Sequence, residues 1–358
     1  MFCSPHASNR QQAVKGRGKS ANPANRFEPV HFVQDDDYEP HQKKTPTRYL
    51  KDDSESILAT NNSPDIPFMY SLNPYRGCEH GCMYCYARPT HEYLGFSAGL
   101  DFESVILVKE NAPALLRKAF LKKSWQPQTV VMSGVTDPYQ PAEKHFRLTR
   151  QCLEVFLEFR NPVSIITKNH LITRDLDLLT KLAAERLVRV NVSLTTLNPR
   201  LTDTLEPRTS RPQRRLEAIR KLSEAGIETG LMTAPVIPGI NDHEIPALLE
   251  AAAEAGASHA GYVMLRLPWA VKEIFSDWFD QHYPDRRQKV LSRVTDTRGG
   301  KLYEADFATR MKGSGPFAEQ VRTLFAVSAK RFGLKLRRHS EPLNTSAFIR
   351  GDQLKLGL

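Results

Sequence analysis

Cysteine is scarce in this sequence, and long apolar stretches are missing. The 358 residues include five cysteines, too few for the disulfide framework that holds many secreted proteins together. No run of about 18 apolar residues occurs, which argues against a transmembrane helix. The first twenty residues lack the apolar centre of a signal peptide. We therefore expect a soluble cytoplasmic protein without a membrane partner.

Acidic residues are outnumbered by basic ones. The chain has 50 Lys and Arg against 40 Asp and Glu, which gives a formal net charge of +10 and a pI of about 9.3. A basic balance of this kind favours polyanions. Nucleic acid is therefore an expected partner.

Polarity and apolar periodicity divide the chain into three regions. Residues 1–62 are polar and nearly free of periodic apolar residues, which is typical of a disordered tail. The basic stretch from Arg10 to Arg26 makes a nucleic-acid-binding arm the alternative. Residues 63–268 alternate short apolar runs with helical patterns, and residues 269–358 predict a mainly helical, basic C-terminal extension.

The middle region predicts an α/β fold. β-branched runs such as Val105–Val108 and Val163–Thr167 alternate with helical segments such as Thr149–Arg160. Strands that alternate with helices of this length form βαβ units around a parallel sheet. About six repeats favour a partial or full TIM-type barrel over a small doubly wound sheet, and periodicity does not decide between these architectures.

Three of the five cysteines crowd into eight residues. Cys78, Cys82 and Cys85 have the spacing C-x3-C-x2-C, with Gly77 and Gly81 beside the first two. Three thiolates on one loop can bind three corners of a [4Fe–4S] cubane and leave the fourth iron open to a small ligand. The spacing therefore predicts an iron–sulfur site with an open iron.

Two other interpretations of the cysteines differ in class. His80 could complete a Cys3His zinc site, which would stabilise a nucleic-acid-binding module. A non-catalytic iron–sulfur protein that carries electrons or senses redox state is the second alternative, although electron carriers usually saturate the cluster with four ligands.

The segment around the cysteines resembles the signature loop of the radical S-adenosylmethionine superfamily. Within it, the sequence resembles the spore photoproduct lyase-like branch, also called DNA repair photolyase-like. The phrases that carry the resemblance span roughly residues 70–268 and are NPYRGCEHGCMYCYAR, VVMSGVTDPYQPAE, ITKN, NVSLTT and TAPVIPGIND.

The resemblance implies a partial (β/α)6 barrel and a radical enzyme with two cofactors, a [4Fe–4S] cluster on the three cysteines and S-adenosylmethionine on its open iron. One electron from an external reductant of the flavodoxin or ferredoxin type would cleave S-adenosylmethionine to methionine and a 5′-deoxyadenosyl radical. That radical would abstract hydrogen from an unidentified substrate, for which the net charge favours nucleic acid. The protein would supply orientation and exclude water.

Polar residues near strand ends are the candidates for holding S-adenosylmethionine. The carboxyl ends of barrel strands are where active sites of such folds collect. By resemblance, Ser133, Thr136 and Asp137 belong to the loop that contacts the methionine amino group. Lys168 and Ser193 correspond to a lysine and a serine that contact the ligand in this branch.

Two further segments complete the expected ligand site. Arg208 is a candidate for the ligand's carboxylate, because guanidinium forks match carboxylates, and a surface ion pair is its alternative. By resemblance, the segment with Val236, Ile237 and Gly239 packs the adenine, with apolar contact from the first two and close approach at the glycine.

One departure separates the sequence from spore photoproduct lyase. That enzyme uses a cysteine near the end of the second strand as hydrogen donor, whereas the sequence here reads Val131-Met132-Ser133-Gly134. The resemblance therefore does not extend to repair of the thymine photoproduct. Tyr139 is a candidate for relaying hydrogen in place of the missing thiol.

Overall fold

Parallel strands and helices alternate along most of the chain. This computed structural model describes residues 16–19, 21–27, 45–336 and 341–350. The strands are β1 (Arg48–Lys51), β2 (Leu58–Thr60), β3 (Tyr70–Leu72), β4 (Tyr75–Arg76), β5 (Val105–Val108), β6 (Val130–Met132), β7 (Val163–Thr167), β8 (Val188–Ser193), β9 (Glu228–Val236), β10 (His259–Met264) and β11 (Lys335–Leu336). The α-helices are α1 (Asp101–Ser104), α2 (Ala112–Leu121), α3 (Glu143–Phe146), α4 (Leu148–Phe159), α5 (Leu176–Ala184), α6 (Pro199–Leu205), α7 (Pro212–Glu224), α8 (Ile245–Glu254), α9 (Val271–His282), α10 (Pro284–Asp296) and α11 (Gly315–Arg331).

The main sheet is an open barrel. Its strand order is β2-β3-β6-β7-β8-β9-β10-β11, and every neighbouring pair except β2–β3 is parallel. Strands β3 and β6–β10 supply the six parallel strands of the barrel. The edge strands β2 and β11 do not pair with each other among the described residues, so the barrel stays open on one side. The predicted partial (β/α)6 barrel is confirmed.

Helices cover the outer face of this sheet. Ile165, Val190 and Leu231 from three strands pack in one apolar core with Phe156 of α4 and Leu222 of α7, and all five side chains are fully buried. Helices on a parallel sheet bury its apolar face, which is why these strands are rich in β-branched residues.

The inner face of the barrel is unusually polar. Asn191, Gly230 and His259 are register partners on β8, β9 and β10 and therefore share one face. The ring of His259 lies 3.1 Å from the amide oxygen of Asn191, and a Cβ on Gly230 would lie 2.2 Å from that ring. Branched apolar residues fill the interior of ordinary TIM barrels, whereas these three positions carry a hydrogen-bonded polar pair and a glycine.

The first barrel strand is not the one that the sequence pattern suggests. Val105–Val108 is β5, and it lies between β1 and β4 in a separate three-stranded sheet. The barrel begins instead with β3. This strand has three residues, of which two are partly exposed, so the sequence shows no apolar run there. The prediction that Val105–Val108 begins the β/α repeats is therefore wrong.

The prediction of a disordered tail over residues 1–62 is wrong for the described part of that region. Strand β1 pairs with β5 over four residues, and β2 pairs with β3. The side chain of Arg17 is buried and donates to the carbonyl oxygens of Glu103 and Thr45. Residues 1–15, 20 and 28–44 lie outside the described residues, and so does the start of the basic stretch at Arg10.

The C-terminal extension is not a separate unit. It contains α9, α10 and α11, yet Val321 and Phe325 of α11 belong to the barrel core, and β11 pairs with β10. The boundary predicted at residue 268 therefore does not divide two cores. Helix α10 begins at Pro284 and was not predicted from the sequence. In the part of the chain that the structure describes, no helix has both the length and the apolar character to cross a bilayer.

Candidate cluster and cofactor site

The three cysteines lie on a loop between β4 and a 3-10 helix over Arg88–Leu94, beside the carboxyl end of the first barrel strand. Gly77 and Gly81 turn the loop with φ angles of +79° and +66°, which glycine adopts without strain. The N–H of Cys78 donates to the carbonyl of Phe102 at 2.8 Å and fixes the first cysteine to α1. The loop is therefore a formed part of the fold.

The three thiols are free and close to one another. Cys78 and Cys82 are buried, and Cys85 is half-buried. Burial raises the pKa of Cys82 most, Glu206 raises it further, and Lys168 lowers it. The sulfurs of the other two cysteines also raise it, and burial followed by Cys78 raises the pKa of Cys85. Because burial disfavours the thiolate form, these cysteines would lose their protons when they bind a metal cation.

The contacts of His80 argue against a Cys3His zinc site. Both ring nitrogens of His80 are committed, since Nδ1 lies 3.4 Å from the carboxylate of Asp137 and Nε2 lies 3.1 Å from the amide nitrogen of Asn169. His80 is therefore not poised as a fourth zinc ligand, and the donor set fits the cluster.

Asp137 ties the cysteine loop to the barrel. Its carboxylate accepts hydrogen bonds from the hydroxyl of Thr167 and from the N–H of Lys168, each at 2.7 Å. Burial alone would lower the pKa of His80, but Asp137 and then Cys78 raise it to about 9. Asp137 therefore positions the cysteine loop, and its contact with the ligand stays a prediction.

Lys168 and Ser193, which the sequence separates by 25 residues, come together next to the cysteine loop. The ammonium of Lys168 donates to the hydroxyl of Ser193 and, at 3.2 Å, to the carbonyl of Ala234. It also lies 5.8 Å from the ring centre of Tyr84, the residue before the third cysteine. The two predicted ligand contacts thus share one corner of the mouth.

A buried carboxylate anchors that corner. Glu206 lies 3.7 Å from the ammonium of Lys168 and accepts hydrogen bonds from Tyr84 and Arg215. The hydroxyl of Thr195 donates to it at 2.7 Å. Burial alone would raise the pKa of Glu206, but Arg215 and then Lys168 lower it to about 2. The carboxylate of Glu206, called the hub below, therefore stays ionised at neutral pH between the cations of Arg215 and Lys168.

Ser133 and Thr136 face the strand that precedes the cysteines. The hydroxyl of Ser133 donates to the carbonyl of Thr136 at 3.2 Å. The N–H and the hydroxyl of Thr136 both donate to the side-chain oxygen of Asn73 at 3.3 Å. Asn73 thus holds this loop against the start of the cysteine loop, a role that no local pattern indicates.

A comparison with protein families now bears on this geometry. The model of the Radical SAM superfamily matches residues 72–252, just over half of the chain, including all three cysteines and the Lys168 corner. The chain belongs to the Radical SAM superfamily.

Relatives and solved structures share this radical SAM core. A protein of Mycobacterium tuberculosis (strain H37Rv) is 38% identical over 226 residues, which are 63% of this chain and 66% of that protein. The Radical SAM Nalpha-GlyT isomerase of Pseudomonas phage M6 is 31% identical over 231 residues, 63% of this chain and 46% of that protein. The chain spans slightly less than two thirds of the first of these relatives and about half of the second.

Spore photoproduct lyase complexed with dinucleoside spore photoproduct has a TM-score of 0.54 to this chain at 17% identity, over 80% of this chain and 81% of that one. The two radical SAM proteins therefore share a fold.

The segment expected to pack the adenine is a rigid loop at the end of β9. The side chains of Val236 and Ile237 are fully buried, the first in the barrel core and the second beside Cys82. Gly239 turns the chain with a φ of +79°, and Asn241 holds the loop by donating to the carbonyl of Thr195 at 2.7 Å. Val236 and Ile237 thus shape the loop from inside instead of presenting exposed apolar contacts.

Two other candidates are Arg208 and Tyr139. Arg208 pairs with Glu79 at 3.2 Å, as in the alternative of an ion pair. The guanidinium that pairs with the buried carboxylate of Glu206 belongs to Arg215. Tyr139 is fully buried, and burial and then Asp175 raise its pKa far above the usual range. A phenol enclosed in the barrel core faces no substrate, so Tyr139 does not fit as a hydrogen relay. Cys152 is equally enclosed.

The N-terminal segment supports the cysteine loop from behind. Arg88 donates to the carbonyl of Cys82 at 3.0 Å and to the carboxylate of Glu103 at 2.5 Å. The other oxygen of that carboxylate accepts the N–H of Gly18 at 2.8 Å. A Cβ on Gly18 would lie 2.0 Å from the carbonyl oxygen of Gly81, so the segment is pressed directly onto the loop.

Replacing Gly18 by alanine is therefore expected to displace the cysteine loop. Overpacking of this kind costs about 1–3 kcal/mol, and iron bound per chain after anaerobic reconstitution should fall together with Tm. Gly226→Ala, after α7, is the control, because an added Cβ there meets nothing within 4 Å and the φ of +76° alone is strained, so Tm should fall without a change at the cysteine loop. Equal iron content in the two variants would contradict the role assigned to this contact.

Proposed function

We propose that this chain is a radical S-adenosylmethionine enzyme. The observation that carries the proposal is the placement of three free thiols at the carboxyl end of the first strand of an open barrel, next to the Lys168–Ser193 corner. Cys78, Cys82 and Cys85 would hold a [4Fe–4S] cluster with an open iron, which would pass one electron from an external reductant to bound S-adenosylmethionine for its cleavage to methionine and a 5′-deoxyadenosyl radical.

The chain's own residues would hold and orient the ligand. Cys78, Cys82 and Cys85 bind the cluster, and Lys168 and Ser193 contact the carboxylate and ribose of S-adenosylmethionine. The hydroxyl of Ser133 donates to a backbone carbonyl and, among the described residues, to no side chain. It would reorient toward the amino group of S-adenosylmethionine. The buried loop after β9 forms a wall for the adenine.

The substrate class that we propose is nucleic acid. The net charge of +10 supports it. The name of one similar solved structure supports it further, because that spore photoproduct lyase is complexed with a dinucleoside photoproduct. The described part of the chain has no cysteine at the end of β6, so hydrogen return, if it occurs, uses a different group from the thiol of spore photoproduct lyase.

An external one-electron reductant of the flavodoxin or ferredoxin type is the partner that this chemistry requires. The decisive experiment is anaerobic reconstitution with iron and sulfide, followed by dithionite and S-adenosylmethionine. Formation of 5′-deoxyadenosine is expected. A brown, reducible cluster without that product would support the electron carrier instead, and zinc without iron would support the zinc-stabilised module.

Replacing Lys168 by methionine is expected to weaken S-adenosylmethionine binding about tenfold or more, because a hydrogen bond to a charged group contributes about 1.5–3 kcal/mol. Equilibrium dialysis on the reconstituted protein measures the dissociation constant. Lys181→Met, on the exposed face of α5, is the matched control. Unchanged affinity at equal cluster content would remove Lys168 from the ligand site.

A further inference from the structure

Four large aromatic side chains are exposed together beside the cysteine loop. Phe27, Tyr86, Tyr93 and Trp269 keep 53%, 46%, 69% and 54% of their surface exposed. Single exposed apolar residues are ordinary, but a group of them marks a binding surface. Together with Arg26 and Arg266, these four side chains are called the mouth rim below.

One arginine joins three of these rings. The guanidinium carbon of Arg26 lies 4.1 Å from the ring centre of Trp269, 4.6 Å from that of Phe27 and 5.5 Å from that of Tyr93. The rings of Phe27 and Tyr93 are themselves 4.9 Å apart. This half of the rim therefore brings together the N-terminal segment, the 3-10 helix after the cysteines and the loop after β10.

A second arginine covers the ring next to the third cysteine. The guanidinium carbon of Arg266 lies 5.1 Å from the ring centre of Tyr86, whose hydroxyl donates to the carbonyl of Gly134. Trp269 follows Arg266 by three residues, so the two halves of the rim share one loop. A ligand on the rim would therefore lie beside the cysteines.

Arg266 makes no direct ion pair among the described residues. Its Nε has no hydrogen-bond partner, and its Nη1 lies 3.4 Å from the sulfur of Met311. Its charge acts on the carboxylate of Asp65, which is paired with Arg310, and on the guanidinium of Arg298. One carboxylate thus faces more than one guanidinium, and the excess positive charge favours an anion from outside.

Flat rings alternating with guanidinium groups match the chemistry of unstacked nucleotides. Aromatic side chains stack on exposed base faces, and arginine contributes cation–π contact and binds phosphate. Bases inside a duplex are already stacked on their neighbours, so a base can meet these rings only when it is unpaired or turned out.

We infer that the mouth rim binds single-stranded or extrahelical nucleotides and delivers a base to the cysteine loop. This inference rests on the proposed nucleic acid substrate and adds the conformation of that substrate and the residues that select it.

Fluorescence anisotropy with the full-length reconstituted protein tests the inference. The probes are a labelled 12-nucleotide DNA strand, the same sequence as a duplex, and a duplex with one mismatch, all at low salt. The single strand and the mismatched duplex are expected to bind more tightly than the paired duplex. Tyr93→Ala and Trp269→Ala should each weaken single-strand binding about tenfold, since one base–aromatic stack contributes 1–3 kcal/mol.

Arg266→Gln should weaken binding and reduce the dependence of log K on log salt by about one. Leu121→Ala, an exposed apolar residue on α2, and Arg220→Gln, on the exposed face of α7, are the matched controls and should bind like the wild type.

Three results would overturn the inference, and they are distinguishable. Wild-type affinity in the Tyr93, Trp269 and Arg266 variants would leave a nucleic acid substrate in place and remove the rim from it. Absence of any oligonucleotide binding by the wild type would defeat the nucleic acid substrate as well, while 5′-deoxyadenosine formation would still stand by itself. Rim-dependent binding to anionic lipid vesicles without oligonucleotide binding would assign the surface to a membrane.

Discussion

Cys82→Ala is expected to abolish 5′-deoxyadenosine formation completely and to prevent assembly of a stable [4Fe–4S] cluster. The cysteine is buried in the centre of the loop, and its sulfur interacts electrostatically with both neighbouring thiols. With two thiolates left, two of the four irons would lack a protein ligand instead of one. Iron and sulfide content, the visible absorbance of the cluster and the cleavage assay measure the effect.

Cys152→Ala is the matched control for that loss. Cys152 is as fully buried as Cys82 but lies on α4 in the barrel core, among apolar side chains. Its truncation is expected to lower stability slightly and to leave iron content and 5′-deoxyadenosine formation at the wild-type level. Loss of the cluster in both variants would show that general misfolding explains the first result.

Glu206→Gln is expected to lower the free energy of unfolding by about 3–5 kcal/mol, because it leaves the buried guanidinium of Arg215 without its counter-charge. Urea unfolding of the apoprotein measures this loss. Asp203→Asn, which breaks the exposed pair with Arg211, should cost about 0–1 kcal/mol. A loss no larger than that control would mean that the hub does not hold the fold.

Partial rescue and pH dependence make this second prediction more specific. Replacing Arg215 by methionine as well removes the unpaired charge, so the double variant should be more stable than Glu206→Gln. The pKa of Glu206 falls from 4.5 to about 2 on folding. Its contribution is therefore complete above about pH 4.5 and is lost as the pH falls toward 2. Stability of Glu206→Gln should depend less on pH in that window.

Local patterns in the sequence were sufficient for the chemistry of the cysteine loop. Ligand spacing within eight residues is a property of one short segment, so Cys78, Cys82 and Cys85 share a loop whatever the rest of the chain does. The β-branched runs of β7 and β8 were equally clear, because a strand buried by helices must be apolar along its length. Lys168 and Ser193 followed from their places at the ends of those two strands.

Such local patterns could not predict contacts between residues that are distant in sequence. Arg208 and Arg215 lie in the same basic stretch, and only the packing of α7 against the barrel decides which guanidinium meets Glu206 and which meets Glu79. Tyr139 looked like a mouth residue until the fold enclosed its side chain. A polar side chain gives no sign in the sequence of whether it will be buried.

The sequence alone thus predicted the proposed cluster ligands and the parallel α/β architecture, because both depend on short-range spacing and periodicity. The tertiary structure decided that β5 leaves the barrel and that residues 16–19 support the cysteine loop. It also decided that Glu206 anchors Lys168 and that aromatic and arginine side chains from three segments meet at the mouth. These features depend on burial and on contacts between residues far apart in the chain, which no local pattern records.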